Sequence, residues 1–287
     1  MPIAKPGHVI ASLTDWETHA KPKASYHWVD GRSAKEVARA WLEGGGTALP
    51  PEVASCLTTH GRFGAVLSWE AEPEAKLRFD NFPGEPRNSD LAVYVTDAIG
   101  PYLLAVEAKA DEPYGDTVSK TLADALERGL ENPRSNGVAR VEQLVRSLFS
   151  PRVKGEPRLG DLRYQRLTAC AGPVSEARRK GYSRAVMLVH EFVTSKTQPD
   201  NHKRNASDLS AFVYRLSGGG TTEVADGRLV GPFIAPGAAE VELFIGKVVL
   251  RLGTSGPYSD AWRFSPPPRP ISCIGIAQSC ELVQPTQ

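Results

Sequence analysis

Asp90 and the tripeptide Glu107-Ala108-Lys109 place two carboxylates and an amine at the ends of two apolar runs. Such groups are costly to hold at the edge of a buried hairpin for structure alone, and together they can bind a divalent cation and a water. Leu91 to Thr96 alternates as a half-buried strand, Asp97-Ala98-Ile99-Gly100 reads as a turn with Pro101 behind it, and Tyr102 to Lys109 alternates again. Setting Thr96 opposite Pro101 pairs Asp90 with Glu107. Opposed residues of an antiparallel pair share a face with Cβ atoms roughly 4.5–5.5 Å apart, as do residues two apart on one strand, so Asp90, Glu107 and Lys109 converge. Leu91, Val93, Val95, Leu104, Val106 and Ala108 then line the other face, an apolar surface for a helix to cover. A plain cross-strand ion pair, contributing roughly 0.2–1 kcal/mol, is the competing explanation. A second Glu-x-Lys, Glu74-Ala75-Lys76, lies among charges and proline and reads as solvated surface.

The order of these residues, Asp90, then Glu107-Ala108-Lys109 one strand later, then long helices, resembles the PD-(D/E)XK nuclease superfamily, with Ser89-Asp90 in place of the usual Pro-Asp. The stretch Val106-Glu107-Ala108-Lys109-Ala110-Asp111-Glu112-Pro113-Tyr114-Gly115, with Arg163-Tyr164-Gln165 and Val189-His190-Glu191-Phe192, is similar to a poorly characterised bacterial branch of that superfamily. What the resemblance implies is an α/β (α+β mixed) fold with a central mixed β-sheet flanked by helices, a restriction-endonuclease-like core. It also implies a nuclease that hydrolyses phosphodiester bonds, with DNA the expected nucleic acid. Asp90 and Glu107 would hold Mg²⁺ or Mn²⁺, and Lys109 would place the attacking water. Superfamily members often add an upstream glutamate; among Glu36, Glu43, Glu52 and Glu70, Glu70 is the choice because it is nearest in sequence to the site. Some also use a glutamine from the helix after the sheet, for which Gln165 is the candidate, although Tyr164-Gln165 departs from the glutamine-then-tyrosine arrangement of one branch.

From Val66 to Asp116 there are eleven Asp and Glu against four Lys and Arg, whereas Arg128 to Arg184 carries thirteen Lys and Arg against five Asp and Glu. An acidic segment beside a basic one suits a protein that binds a cation and grips phosphates. Charged helices are commonly just solvated faces, and Arg134, Arg140 and Arg146, six apart, do not share one helical face. Arg140 and Arg163 are chosen as nucleic-acid contacts because each lies in the span of the resemblance. Two other classes stay open: a catalytically inactive nuclease-fold module that binds nucleic acid or protein, and a carboxylate-pair enzyme acting on a sugar. The lysine two residues from the second acid argues against the latter.

Cys56, Cys170, Cys273 and Cys280 form no Cys-x-x-Cys pair and have no histidine at zinc spacing, which favours a reducing compartment. With neither a signal-peptide core nor a membrane-length apolar run, the expectation is a cytoplasmic protein with no membrane partner; a homodimer is left open. The expected organisation is an irregular N-terminal segment 1–32, a nuclease-like core 33–226, additional strands 227–252 and a Pro-rich tail 253–287. Within it, Ala185 to Phe192 reads as a central strand, with His190 structural and Glu191 an exposed acid at its end.

Overall fold

A computed structural model of the chain describes residues 3–22 and 25–253. Contacts group residues 1–252 into one unit and residues 253–287 into a second. The Pro-rich tail expected over 253–287 lies outside the described residues apart from Gly253. The elements of the first unit are β1 (Ala4–Lys5), β2 (His8–Val9), α1 (Leu13–Ala20), α2 (Ser33–Leu42), α3 (Pro51–Thr58), β3 (Val66–Leu77), β4 (Arg87–Asp97), β5 (Pro101–Lys109), α4 (Val118–Glu131), α5 (Gly137–Leu148), α6 (Tyr164–Arg179), β6 (Arg184–Val193), α7 (Pro199–Leu216), β7 (Arg228–Ile234) and β8 (Glu242–Arg251).

Six strands form one mixed sheet in the order β3-β4-β5-β6-β8-β7. The antiparallel hairpins β3–β4 and β4–β5 lead into a parallel core of β5, β6 and β8, and β7 closes the far edge antiparallel to β8. Helices cover both faces, as a sheet with a parallel core requires. Side chains of α1, α2 and α3, among them Trp16, Trp41 and Leu57, pack with Leu91, Val93, Val95, Leu104, Val106 and Ala108. Those of α5, α6 and α7, among them Leu144, Leu167 and Phe212, pack with Ala92, Leu103, Ala105 and Met187. The apolar face expected for the hairpin is therefore present, but the opposite face is core as well. No helix among the described residues is long and apolar enough to cross a membrane.

The hairpin register is the expected one, with Thr96 opposite Pro101 and Leu91 opposite Val106. The turn that sets it is held by Asp97, whose Oδ1 accepts from the N–H groups of Ile99 at 2.8 Å and Gly100 at 2.9 Å. Gly100, at φ 143°, supplies a backbone conformation that side chains disfavour. Arg184, the first residue of β6, then clamps this turn: its guanidinium donates to both carboxylate oxygens of Asp97, at 3.0 and 2.9 Å, and to the Gly100 carbonyl at 2.6 Å. Both side chains are buried.

Several boundaries differ from the sequence expectation. Residues 1–32 are not irregular throughout: between Pro6 and Pro22, Ser12 caps α1 by accepting from Asp15 N–H, and Trp16 and Ala20 of that helix enter the core. The sequence reads as two strands, Phe63 to Glu70 and Lys76 to Phe82, but a single strand, β3 (Val66–Leu77), runs through the first and ends two residues into the second, with Pro73 buried within it and Glu74 at φ 47°. Gly172-Pro173 reads in the sequence as a break in a helix running toward Gly181, yet α6 continues through it: the missing Cβ of Gly172 lets the helix close onto Leu77, where a Cβ would stand 3.1 Å from that side chain. Asp161, a residue type that reads as the cap of this helix, lies instead in a separate 3-10 turn. Residues 227–252 extend the same sheet.

The Asp97 clamp makes stability depend on pH. Burial alone would raise this carboxyl, but the Arg184 fork and the backbone donors outweigh it and hold it down to about 2, against an ordinary 3.8. The folded state thus favours the ionised form, so the contribution is present above the ordinary value and fades as pH falls through about 2. Urea unfolding of Asp97→Asn should show a deficit at about pH 7 whose pH-dependent part, about 2 kcal/mol, closes on the approach to about pH 2. A gap that stays constant across that range would contradict the clamp.

Candidate active site

β5 carries Glu107 and Lys109 to its carboxyl end, where both are buried, and Lys109 Nζ lies 3.0 Å from Glu107 Oε1. The ladder between β4 and β5 stops at Leu91–Val106, one pair before Asp90 and Glu107. There the strands part, and Asp90 replaces the lost ladder bond with its side chain, Oδ2 accepting from Ala108 N–H at 2.7 Å. The Asp90 carboxyl is thereby fixed to the peptide between Glu107 and Lys109, so the three groups chosen from sequence do come together.

Other residues complete the cluster. Gln165, in the first turn of α6, donates through Nε2 to Glu107 Oε1 at 2.6 Å. Arg87, at the start of β4, donates to Glu107 Oε2 and, through Nη1, to Thr168 Oγ1 at 3.1 Å. Arg166 is almost wholly buried, its guanidinium 3.2 Å from the centre of the Tyr114 ring, and none of its three nitrogens has a hydrogen-bond partner. A guanidinium over an aromatic face gains a cation–π attraction, and the neighbouring carboxylate balances its charge. Burial opposes ionisation of Glu107, yet Arg87 and Lys109, with Arg166 behind them, outweigh it and hold its carboxyl below the ordinary value. Asp90 goes the other way, pushed up to about 7 first by burial and then by the charge of Glu107, with Lys109 opposing and Glu74 adding to the rise.

Glu74 is the acid that the sequence reading set aside. Pro73 pairs with Leu91 and Ala75 with Ser89, which sets Glu74 across from Asp90, and its carboxylate accepts from Asn88 Nδ2 at 3.1 Å. Its left-handed φ of 47° is unusual for a residue with a side chain and marks a constrained position. Glu70 stands opposite Tyr94, exposed, four residues and thus roughly 13 Å along the strand from Glu74. The structure brings Glu74, not Glu70, to the pair. Arg140 and Arg163 are each committed within the chain: Arg140 Nε to Asp80 at 2.9 Å, Arg163 Nε to Asp208 at 2.8 Å. Arg140 nevertheless lines a cleft of about 510 Å³ that reaches Arg87, Gln165 and Thr168, so the cluster has an approach from outside.

Glu191, expected to be an exposed acid, is buried on β6 beside Lys109 in the parallel ladder, and it bonds His202 Nδ1 at 2.6 Å and Lys247 Nζ at 2.8 Å. His190 is fully enclosed on the opposite face with Glu52 3.0 Å from its Nε2, as a structural histidine would be.

The donor set is all oxygen, which fits a hard divalent cation. Among the described residues no group of three or more His, Cys, Asp or Glu is disposed to hold a metal ion. A cation here would rest on Asp90 and Glu107 and keep most of its waters, a form Mg²⁺ accepts. The apposition of the two acids has its own consequence. The unfolded Asp90 releases its proton near 3.8 while the folded one keeps it to about 7, so folding loses stability as pH rises between those values. In EDTA, Asp90→Asn should therefore melt a few degrees above the unsubstituted protein at about pH 8, with the difference closing toward about pH 4. Equal destabilisation at every pH would show that the carboxyl is not strained.

No curated protein and no solved structure matches this chain. A family described as Domain of unknown function (DUF6946) matches residues 9–251, which takes in β3 to β8 and every residue of the cluster, and the chain belongs to that family.

Proposed function

We propose that this protein is a metal-dependent nuclease of PD-(D/E)XK type, acting on the phosphodiester bonds of nucleic acid, with DNA the substrate that the sequence resemblance implies. The observation that carries the reading is the junction where β4 parts from β5: Asp90 fixed to the Ala108 N–H, and Glu107 ionised between Lys109, Gln165 and Arg87, the last two of which line a cleft.

Asp90 and Glu107 are the residues that would hold Mg²⁺ or Mn²⁺. Such an ion, when bound, supplies a bound water of lowered pKa and charge neutralisation at the phosphate. The chain's own groups do the positioning. Lys109, tied to Glu107, directs its remaining N–H donors at the attacking water and the non-bridging phosphate oxygens. Gln165 fixes the rotation of the Glu107 carboxylate, so its oxygens are presented in one orientation. Two buried free cysteines, Cys56 and Cys170, suit a reducing compartment, and we assign the protein to the cytoplasm.

A second reading, a catalytically inactive module that binds nucleic acid or protein, is favoured by one observation: both oxygens of Glu107 are already engaged within the chain. Incubation of the purified protein with linear, supercoiled and single-stranded DNA, in Mg²⁺, Mn²⁺ or EDTA, separates the two. The nuclease reading expects metal-dependent cleavage that falls at least about a hundredfold in Glu107→Ala and in Lys109→Ala. Cleavage retained in either variant removes the site, and binding without cleavage in any metal supports the module.

A further inference from the structure

Glu107 has more cationic company than a carboxylate with one catalytic lysine requires. Arg87 takes its Oε2, while Lys109 and Gln165 share Oε1. Of these, Arg87 comes from the strand that bears Asp90, three residues before it, and its side chain is 16 % exposed, so it forms part of the cleft wall as well as a lid on the carboxylate. A guanidinium thus occupies one carboxylate oxygen and Lys109 with Gln165 the other, so a divalent ion that binds Glu107 meets a cation at either oxygen. Two cations on one carboxylate oxygen repel each other, strongly where water is scarce, so the ion and the guanidinium compete for Glu107.

The neighbouring charges point the same way. Arg87 and Lys109 already sit on the Glu107 carboxylate, with Arg166 behind them. A divalent ion entering alone adds positive charge to a largely buried place that is already cationic, whereas an ion arriving with phosphate groups brings its own counter-charge.

We propose, building on the nuclease reading above, that Arg87 is a latch that couples substrate to metal. Without substrate it neutralises Glu107. When a phosphodiester strand enters the cleft, the guanidinium moves from Glu107 to a phosphate oxygen, and Glu107 is released to the cation. The exchange costs little because a guanidinium fork pairs equally well with carboxylate and with phosphate. Thr168, whose Oγ1 accepts from Arg87 Nη1, is the pivot that keeps the side chain at the cleft during the exchange. Because the coupling is an equilibrium property, phosphate and cation raise each other's affinity by the same factor.

The test measures binding rather than turnover. Mn²⁺ is titrated calorimetrically into the full-length protein, Arg87→Gln and Glu107→Gln without nucleic acid, and a fluorescent single-stranded oligonucleotide is titrated into each in EDTA. Arg87→Gln is expected to bind Mn²⁺ about tenfold more tightly than the unsubstituted protein and to bind the oligonucleotide more weakly. A gain in metal affinity cannot arise from a misfolded variant. Mn²⁺ affinity unchanged or reduced in Arg87→Gln, with binding still lost in Glu107→Gln, overturns the latch and leaves the site standing. Mn²⁺ binding that is absent from all three, or that survives Glu107→Gln, overturns the site and the latch together.

Discussion

The arrangement depends on one buried carboxylate kept ionised. Glu107 is almost wholly enclosed, where an unpaired charge would cost several kcal/mol, and it stays charged because Arg87, Lys109 and Arg166 surround it. That requirement explains features that otherwise look wasteful. Arg166 is buried without a hydrogen bond and rests on Tyr114, and Gln165 spends its amide on one carboxylate oxygen. The first turn of α6 is thus fixed to the end of β5 by polar contacts, while Leu167, Ala171, Val174 and Ala177 pack the helix into the core.

The fold supplies the place for such a cluster. At the carboxyl end of β5, Lys109 stands beside Glu191 of β6, and Glu191 is joined by Lys247, which reaches it from the middle of β8, and by His202 of α7, a chain of polar contacts in which Lys109, Glu191 and Lys247 are buried. Open α/β sheets carry their ligand sites outside the carboxyl ends of strands, because side chains and helix starts converge there without interrupting the ladder. At the opposite end, Arg184 and Asp97 fasten β6 to the β4–β5 turn. The hairpin is therefore pinned at its closed end and free to part at its open end, which is where Asp90 leaves the ladder.

Much of this was legible in the sequence for a simple physical reason. The turn Asp97-Ala98-Ile99-Gly100 fixes a register, and alternation on both sides of it then determines which side chains share a face, so Asp90, Glu107 and Lys109 follow from counting. Gln165 was reachable only through the resemblance, since nothing local ties a helix start to a strand end 58 residues away. Arg87 and Glu74 were not legible. Arg87 follows a stretch of proline, glycine and charge that carries no periodicity, and Glu74 sits at a left-handed residue. Across that residue the alternation of β3 changes face: Ala71 packs with the α1–α3 side, Ala75 and Leu77 with the α5–α7 side. A strand that switches faces reads as two short strands, and the acid at the switch then reads as loop surface. Arg140 and Arg163 illustrate the complementary difficulty: a sequence shows a basic residue but not the Asp80 or Asp208 that neutralises it.

Anomalous diffraction from crystals grown with Mn²⁺ and a single-stranded oligonucleotide tests the central claim most directly, because it locates the ion without reference to activity. A peak between the carboxylates of Asp90 and Glu107, with Arg87 displaced from Oε2, is the predicted result. Mn²⁺ bound elsewhere, or no peak at this junction while Arg87 still covers Glu107 in the presence of both metal and oligonucleotide, would contradict the account.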